Sequence, residues 1–120
     1  MCTALSGGIG INTVTVSSSD VFVSCNIYWV SGTAGLIVRY IDPNNYVRVV
    51  HTGTNVQLIK RVSASETTVF DTATSYVDGA ELKISCVGSA FRVYYNDVAV
   101  STGTISDAIL QTASSVGLLS

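Results

Sequence analysis

The sequence predicts an all-β fold, a two-sheet antiparallel β-sandwich or jelly roll, filling residues 1–120 as a single domain. Three observations lead there. Apolar and polar residues alternate with a period of two in successive short runs. Gly, Pro, Asn, Asp and Ser cluster between those runs at short, regular spacing. Only 12% of the 120 residues are charged and 48% are apolar, with much Ser and Thr, which suits sheets with hydroxyl-rich outer faces and excludes disorder. No βαβ pattern appears, so a parallel α/β sheet is not expected, and no solenoid or propeller repeat is present.

The clearest element is a hairpin. Two β-rich runs, residues 35–41 and 46–49, flank Asp42-Pro43-Asn44-Asn45. Pro fixes φ, and Asp and Asn bond their own backbone or tolerate positive φ, so the four residues suit a tight turn. Upstream, Gly7 to Gly10 reads as a turn, residues 11–16 as a weak strand and Ser17-Ser18-Ser19-Asp20 as a break. Residues 21–30 follow, with Val21, Val23, Cys25, Ile27 and Trp29 on one face. Ser31-Gly32-Thr33 turns into the hairpin.

Downstream, Thr52 to Asn55 is a turn and residues 56–62 a strand. Ser63 to Glu66 leads to a strand at 67–70. Val77-Asp78-Gly79 marks a turn before residues 81–87, where Leu82, Ile84 and Cys86 alternate with Glu81, Lys83 and Ser85. Gly88-Ser89 turns into 91–95, and Asn96-Asp97 into 98–101. Residues 106–112 suit a short helical turn, and 116–119 a last strand. This alternation makes Val23, Cys25, Ile27, Leu82, Ile84, Cys86, Phe91 and Val93 the expected core.

The order of motifs resembles a known group. Ala34-Gly35-Leu36-Ile37-Val38-Arg39-Tyr40, then Asp42, then Asn45-Tyr46 is similar to the opening hairpin of concanavalin A-like lectin/glucanase jelly rolls in their laminin-G-like branch. Gln57-Leu58-Ile59-Lys60, Gly79-Ala80-Glu81-Leu82-Lys83-Ile84, Val93-Tyr94-Tyr95-Asn96-Asp97-Val98 and Ser115-Val116-Gly117-Leu118 resemble later strands of the group, with Asp97 where Gly is usual. The likeness spans about residues 21–119. It implies a lectin-like sandwich of the kind found in phage tail and fibre proteins and in secreted glycan-binding proteins. In that group another strand usually follows the last motif. The domain is therefore expected to be a minimal version, which could be a fragment of a longer chain, or to have its edge completed by something else.

Charge and motif content narrow the function. The net charge is −2 and the basic residues are scattered, which argues against nucleic acid and anionic lipid. No run reaches the roughly 18 apolar residues of a membrane span, and residues 1–5 carry no signal-peptide pattern. Three cysteines do not pair evenly. Cys25 and Cys86 are expected as small buried hydrophobes, with a Cys25–Cys86 bridge as the alternative and Cys2 as the leftover thiol. His51 is the single histidine, so any Ser-His-Asp site would have to use it; it is expected to face solvent at a strand end. Glu66 and Glu81 are the only glutamates, without the paired-carboxylate pattern of glycoside hydrolysis. No catalytic residue, cofactor or metal site is expected. Asp42, Asn44 and Asn45 form the one local oxygen cluster that could hold calcium, and a turn capping its own backbone is the preferred reading.

Sugar recognition would draw on Tyr28, Trp29, Tyr40, Tyr46 and Tyr94, with Trp29 expected in the core. With a turn at Pro43-Asn44, Arg39, Tyr46 and Arg48 should share one sheet face, the expected glycan site. Cross-strand pairing, for example to Glu81 or Asp71, is the preferred reading of those arginines, with glycan binding as the alternative. The leading expectation is a non-catalytic structural or adhesive module of a bacteriophage virion, its partners being neighbouring copies or other structural proteins. The second is a carbohydrate-binding module of a secreted glycan-active protein, with cell-surface glycan as partner. Location follows: virion, or extracellular if a signal peptide has been removed. A last strand with no neighbour would be an open edge, which predicts a homo-oligomer unless residues 1–16 fold back to cover it.

Overall fold

The computed structural model describes residues 2–4, 11–15, 20–29, 34–113 and 115–119; for 2–4, 11–15, 28, 29, 118 and 119 it describes the backbone alone. Eleven strands occur among them. They are β1 (Cys2–Ala4), β2 (Ile11–Thr15), β3 (Val21–Trp29), β4 (Ala34–Asp42), β5 (Asn45–His51), β6 (Asn55–Val62), β7 (Ser65–Ala73), β8 (Glu81–Val87), β9 (Ala90–Tyr95), β10 (Val98–Thr104) and β11 (Ser115–Leu119). A 3-10 turn, Ala108–Leu110, precedes β11. A five-stranded sheet, ordered β1-β3-β8-β9-β10, faces a six-stranded sheet, ordered β2-β11-β4-β5-β6-β7. Pairing is antiparallel except at β1, which lies parallel to β3. The expected jelly-roll sandwich is what the chain forms. The turn signals at 7–10, 17–19 and 31–33, the Cys2 thiol and the Trp29 side chain lie outside the described residues.

Strand alternation builds the core. Leu82, Ile84, Phe91 and Val93 from one sheet meet Leu36, Val38, Val47, Val49 and Leu58 from the other, all essentially without solvent exposure. All eight residues expected inside are there, Val23 at its half-buried margin. Glycine sets two close approaches. A Cβ on Gly35 would lie 1.9 Å from the Val49 carbonyl oxygen, and one on Gly103 would lie 2.6 Å from Val69 Cγ1, where β10 packs near β7. Neither position accepts a side chain without displacement.

Three expectations are corrected. β11 is not an open edge: it sits between β2 and β4, with Val116 opposite Val14 and Gly117 opposite both Thr13 and Ile37. The N-terminal segment supplies the missing neighbour, so this argument for self-association falls away. Cys25 and Cys86 do not bridge each other. Cys25 is disulfide-bonded, which also corrects its reading as a free thiol, and Cys86 is a free, buried thiol. Burial pushes the Cys86 thiol up to about 12, with Arg39 opposing and Asp20 adding to the rise; it is an inert core atom at neutral pH. Finally, the turn after β6 is two residues, Ser63 and Ala64, at φ of 50° and 65°, and β7 starts at Ser65. A mirror-image two-residue turn normally carries Asn or Gly. Ser-Ala gives no such sign.

Phe91 has no exposure and lies under the Arg39 guanidinium, 4.9 Å from ring centre to Cζ. Phe91→Ala should lower unfolding stability by about 3–5 kcal/mol, the usual loss for a buried Phe. Equilibrium urea unfolding measures it; an unchanged midpoint would mean that β9 does not present this side chain to the core.

Candidate functional site

The hairpin of β4 and β5 sets the face where a site can form. Its turn is at Pro43-Asn44, with Asp42 opposite Asn45. The expected register does not continue beyond the turn. A bulge lies between Val38 and Asp42, so Val38 faces Val47, and Ile37, not Arg39, faces Arg48. Arg39 itself takes φ 50°. A positive φ redirects the side chain, and Arg39 turns into the space between the sheets with no exposure. There it donates to Gln111 Oε1 and Asp20 Oδ1, each at 3.3 Å. The predicted trio is therefore divided: Tyr46 and Arg48 share the outer face of the six-stranded sheet, and Arg39 belongs to the core.

That outer face carries two carboxylates, each gripped from neighbouring strands. Glu66 on β7 accepts from Arg48 Nη1 at 2.6 Å and Nη2 at 3.4 Å. Arg61 Nη1 stands 3.5 Å from the same carboxylate. Arg48 thus finds its anion in Glu66, and not in Asp71 or Glu81. Further along, Asp71 accepts from Asn55 Nδ2 at 2.8 Å and Gln57 Nε2 at 3.1 Å. Arg61 Nε is buried and has no partner. Beside the Arg48–Glu66 pair, Tyr40 and Tyr46 stack with ring centres 5.9 Å apart. Tyr46, Ile37 and Val50 are buried and form a small second apolar cluster.

This arrangement has definite chemistry. A carboxylate offers about four acceptor positions and a guanidinium five donors. Between one and three contacts leave part of that capacity free on Arg48, Glu66 and Arg61, whose side chains are 19%, 36% and 28% exposed. Side chains locked by mutual bonds on a rigid sheet present donors and acceptors at fixed spacing, as recognition of vicinal hydroxyls requires. The sequence pattern points to Tyr46 and Arg48 but not to Glu66, which it sets beside a turn.

The Asp42–Asn45 oxygens serve the fold. Asp42 Oδ1 accepts from the Asn44 backbone N–H at 2.8 Å and from Asn45 Nδ2 at 3.0 Å. Asn45 Oδ1 accepts from the Ser63 N–H at 2.9 Å, and the Asn44 carbonyl accepts from the Ala64 N–H at 3.0 Å. The two neighbouring turns are thereby tied together. Among the described residues no group of three His, Cys, Asp or Glu side chains is placed to hold a metal. Tyr94 lies on the other sheet, and the Tyr28 side chain is outside the described residues.

His51 is the second correction of a candidate residue. It is fully buried, on the inward parity of Val47 and Val49. Its Nδ1 accepts from the Gly53 N–H at 2.9 Å, which places the proton of the neutral ring on Nε2. That atom has no hydrogen-bond partner, and the ring packs against Tyr95 at 4.8 Å and Tyr76 at 5.5 Å. Burial holds its pKa below the ordinary 6.5; the Thr74 and Ser75 backbone offsets this in part, without a well-formed bond to Nε2. The alternation of 47, 49 and 51 was the signal for it.

The folded chain resembles known sandwiches. It is similar to the carbohydrate-binding module CBM66 from Bacillus subtilis at 17% identity, TM-score 0.77, covering 97% of this chain and 76% of that one. It is similar to sheep galectin-11, solved in complex with glycerol, at 12% identity, TM-score 0.67, covering 93% and 90%. No protein-family model and no curated protein matches the sequence. At these identities the likeness establishes the lectin-like sandwich fold.

The buried histidine gives a pH prediction. With a folded pKa below the unfolded value of 6.5, the unfolded chain binds the proton more readily. The His51 contribution to stability is intact above pH 6.5, falls as pH drops below it, and levels off below the folded pKa. As the single histidine, its ring signals can be followed by NMR, and should titrate with a midpoint below 6.5. His51→Gln should remove this part of the acid dependence of urea unfolding; a midpoint at or above 6.5 would contradict the buried neutral ring.

Proposed function

We propose that the chain is a non-catalytic carbohydrate-binding module that seats a glycan on the outer face of the six-stranded sheet, over Arg48, Glu66 and Arg61. The observation that carries this reading is the ion triplet: a carboxylate held by two arginines from two neighbouring strands, with the Asp71–Asn55–Gln57 cluster beside it. It supplies fixed donors and acceptors with unused capacity and little mobile charge. The stacked Tyr40 and Tyr46 give the triplet an apolar flank. The fold likeness to a carbohydrate-binding module and to a galectin supports the same reading.

A hydrolase is a poorer fit. Glycoside hydrolysis uses two carboxyl groups flanking one bond. Glu66 and Glu81 stand on different sheets, Glu66 bound by arginines and Glu81 by Lys83 at 3.1 Å. The expectation of a virion module rests on composition and on the resemblance of motifs; the site chemistry adds nothing specific to it. A glycan-binding module of this kind would work outside a cell, on a secreted protein or a virion surface.

A glycan array with the intact chain tests the proposal. Saturable binding to a defined set of neutral glycans is expected. Arg48→Ala and Glu66→Gln should each weaken it at least about tenfold, the loss of one charge-assisted hydrogen bond, with the urea midpoint nearly unchanged because both groups are partly solvated. No saturable binding, or wild-type affinity in both variants, would overturn the assignment of this face.

A further inference from the structure

The outer face of the five-stranded sheet carries a depression of about 380 Å³, lined by Phe22, Ser85, Val87, Ala90, Arg92 and Tyr94. Strand register explains it. Phe22 lies opposite Ser85, and Ser85 opposite Arg92, so one row crosses β3, β8 and β9. Tyr94 and Ala90 sit one step either side on β9. Phe22 is 65% exposed and Val87 61%, an apolar surface that the sandwich leaves in water.

Arg92 is exposed at the β9 end of this row. The other five Lys and Arg residues each have an acidic partner: Arg39, Arg48, Lys60, Arg61 and Lys83. Among the described residues Arg92 is the one cation without an ion pair or a hydrogen bond. No acidic side chain lines the depression. Glu81 and Asp97, at the near end of the same sheet, are held by Lys83 at 3.1 and 3.5 Å. A guanidinium with all its donors open, lining the same depression as two aromatic side chains, is matched by a planar anion attached to a small ring. The volume, at the lower end for ligand sites, suits one such unit and not a chain.

We propose that this depression binds a carboxylate-bearing sugar residue, such as a hexuronic acid unit, with its ring against Phe22 and Tyr94 and its carboxylate on the Arg92 guanidinium. A neutral sugar would leave the guanidinium unanswered, and a simple carboxylate would leave the rings uncovered. Charge and apolar surface together specify the ligand. The site stands on its own geometry and does not depend on binding at the six-stranded face.

The test is an NMR titration of the isotope-labelled chain with methyl glucuronide, methyl glucoside and acetate. Methyl glucuronide should produce saturable shifts at Phe22, Arg92 and Tyr94. Methyl glucoside and acetate should each bind at least about tenfold more weakly, the worth of one charge-assisted contact or one covered ring. Arg92→Gln, at an exposed residue without partners, should keep the fold and bring glucuronide down to the glucoside level. Arg48→Ala should leave the glucuronide response intact, which separates this site from the other face. Equal binding of the two glycosides overturns the proposal, as does acetate binding as well as glucuronide. So does the absence of saturable shifts at these residues. Sedimentation covers the other occupant: concentration-dependent dimerisation lost in Phe22→Ser, with no glucuronide response, would make the face a contact between copies.

Discussion

The turning of Arg39 into the core is the constraint on which both sheets depend. A bulge in β4 and a positive φ bring the guanidinium between the layers. It then touches elements from across the chain: the Phe91 ring on the opposite sheet, Asp20 ahead of β3, and Gln111 after the 3-10 turn. Asp20 also accepts from the Gly88 N–H at 2.8 Å, and Gln111 Nε2 donates to the Ile105 carbonyl at 2.7 Å. A buried charge is costly unless paired and hydrogen-bonded. The need to satisfy this one therefore fixes the β8–β9 turn, the segment before β3 and the segment before β11 relative to β4. The arrangement specifies a geometry more than it adds stability, since a well-packed apolar residue could fill the same volume.

The same bulge decides what the outer face can be. Had regular pairing continued from the turn, two arginines would have faced each other across β4 and β5, a repulsive pair. Instead Ile37 lies opposite Arg48, and Arg48 is free to reach across to Glu66 on β7. Removing one cation to the core leaves two arginines for one glutamate on the outer face, a network open to hydroxyl groups and close to balanced in charge.

How much of this was legible follows from which signals are local. Period-two alternation identifies a strand and its inward face without reference to any partner, so the core around Leu82, Ile84, Phe91 and Val93 could be read directly. The turns at Asn96-Asp97 and Gly88-Ser89 carry residues suited to positive φ, at 53° and 62° for the first pair and 56° for Gly88. Ser63-Ala64 adopts the same conformation without such residues, supported by hydrogen bonds that its N–H groups donate to Asn44 and Asn45. Its position, and with it the place of Glu66 inside a strand, was therefore hidden. The bulge at Arg39 was hidden for the same reason: it is stabilised by Asp20, Phe91 and Gln111, up to 72 residues away. The burial of His51 was legible by parity but was masked by its place next to a glycine turn. Pairing of β11 with β2 is a long-range closure of the sheet that alternation cannot reveal.

The two outer faces of the sandwich offer opposite chemistry to the ligands proposed for them. On the six-stranded face the charges neutralise one another and are held in place, so the cost of ordering them is met by the fold, and binding there would depend weakly on salt. On the five-stranded face the cation is uncommitted and the aromatic surface is already in water. Covering that surface is favourable, and the guanidinium decides which ring system benefits. On the proposed reading, a neutral, hydroxyl-rich ligand would gain most from the first face and an acidic one from the second. The β3–β8–β9 and β5–β6–β7 registers are set by the same core, with Arg39 and Phe91 between them, so the core aligns two chemically distinct surfaces on opposite sides of one small domain.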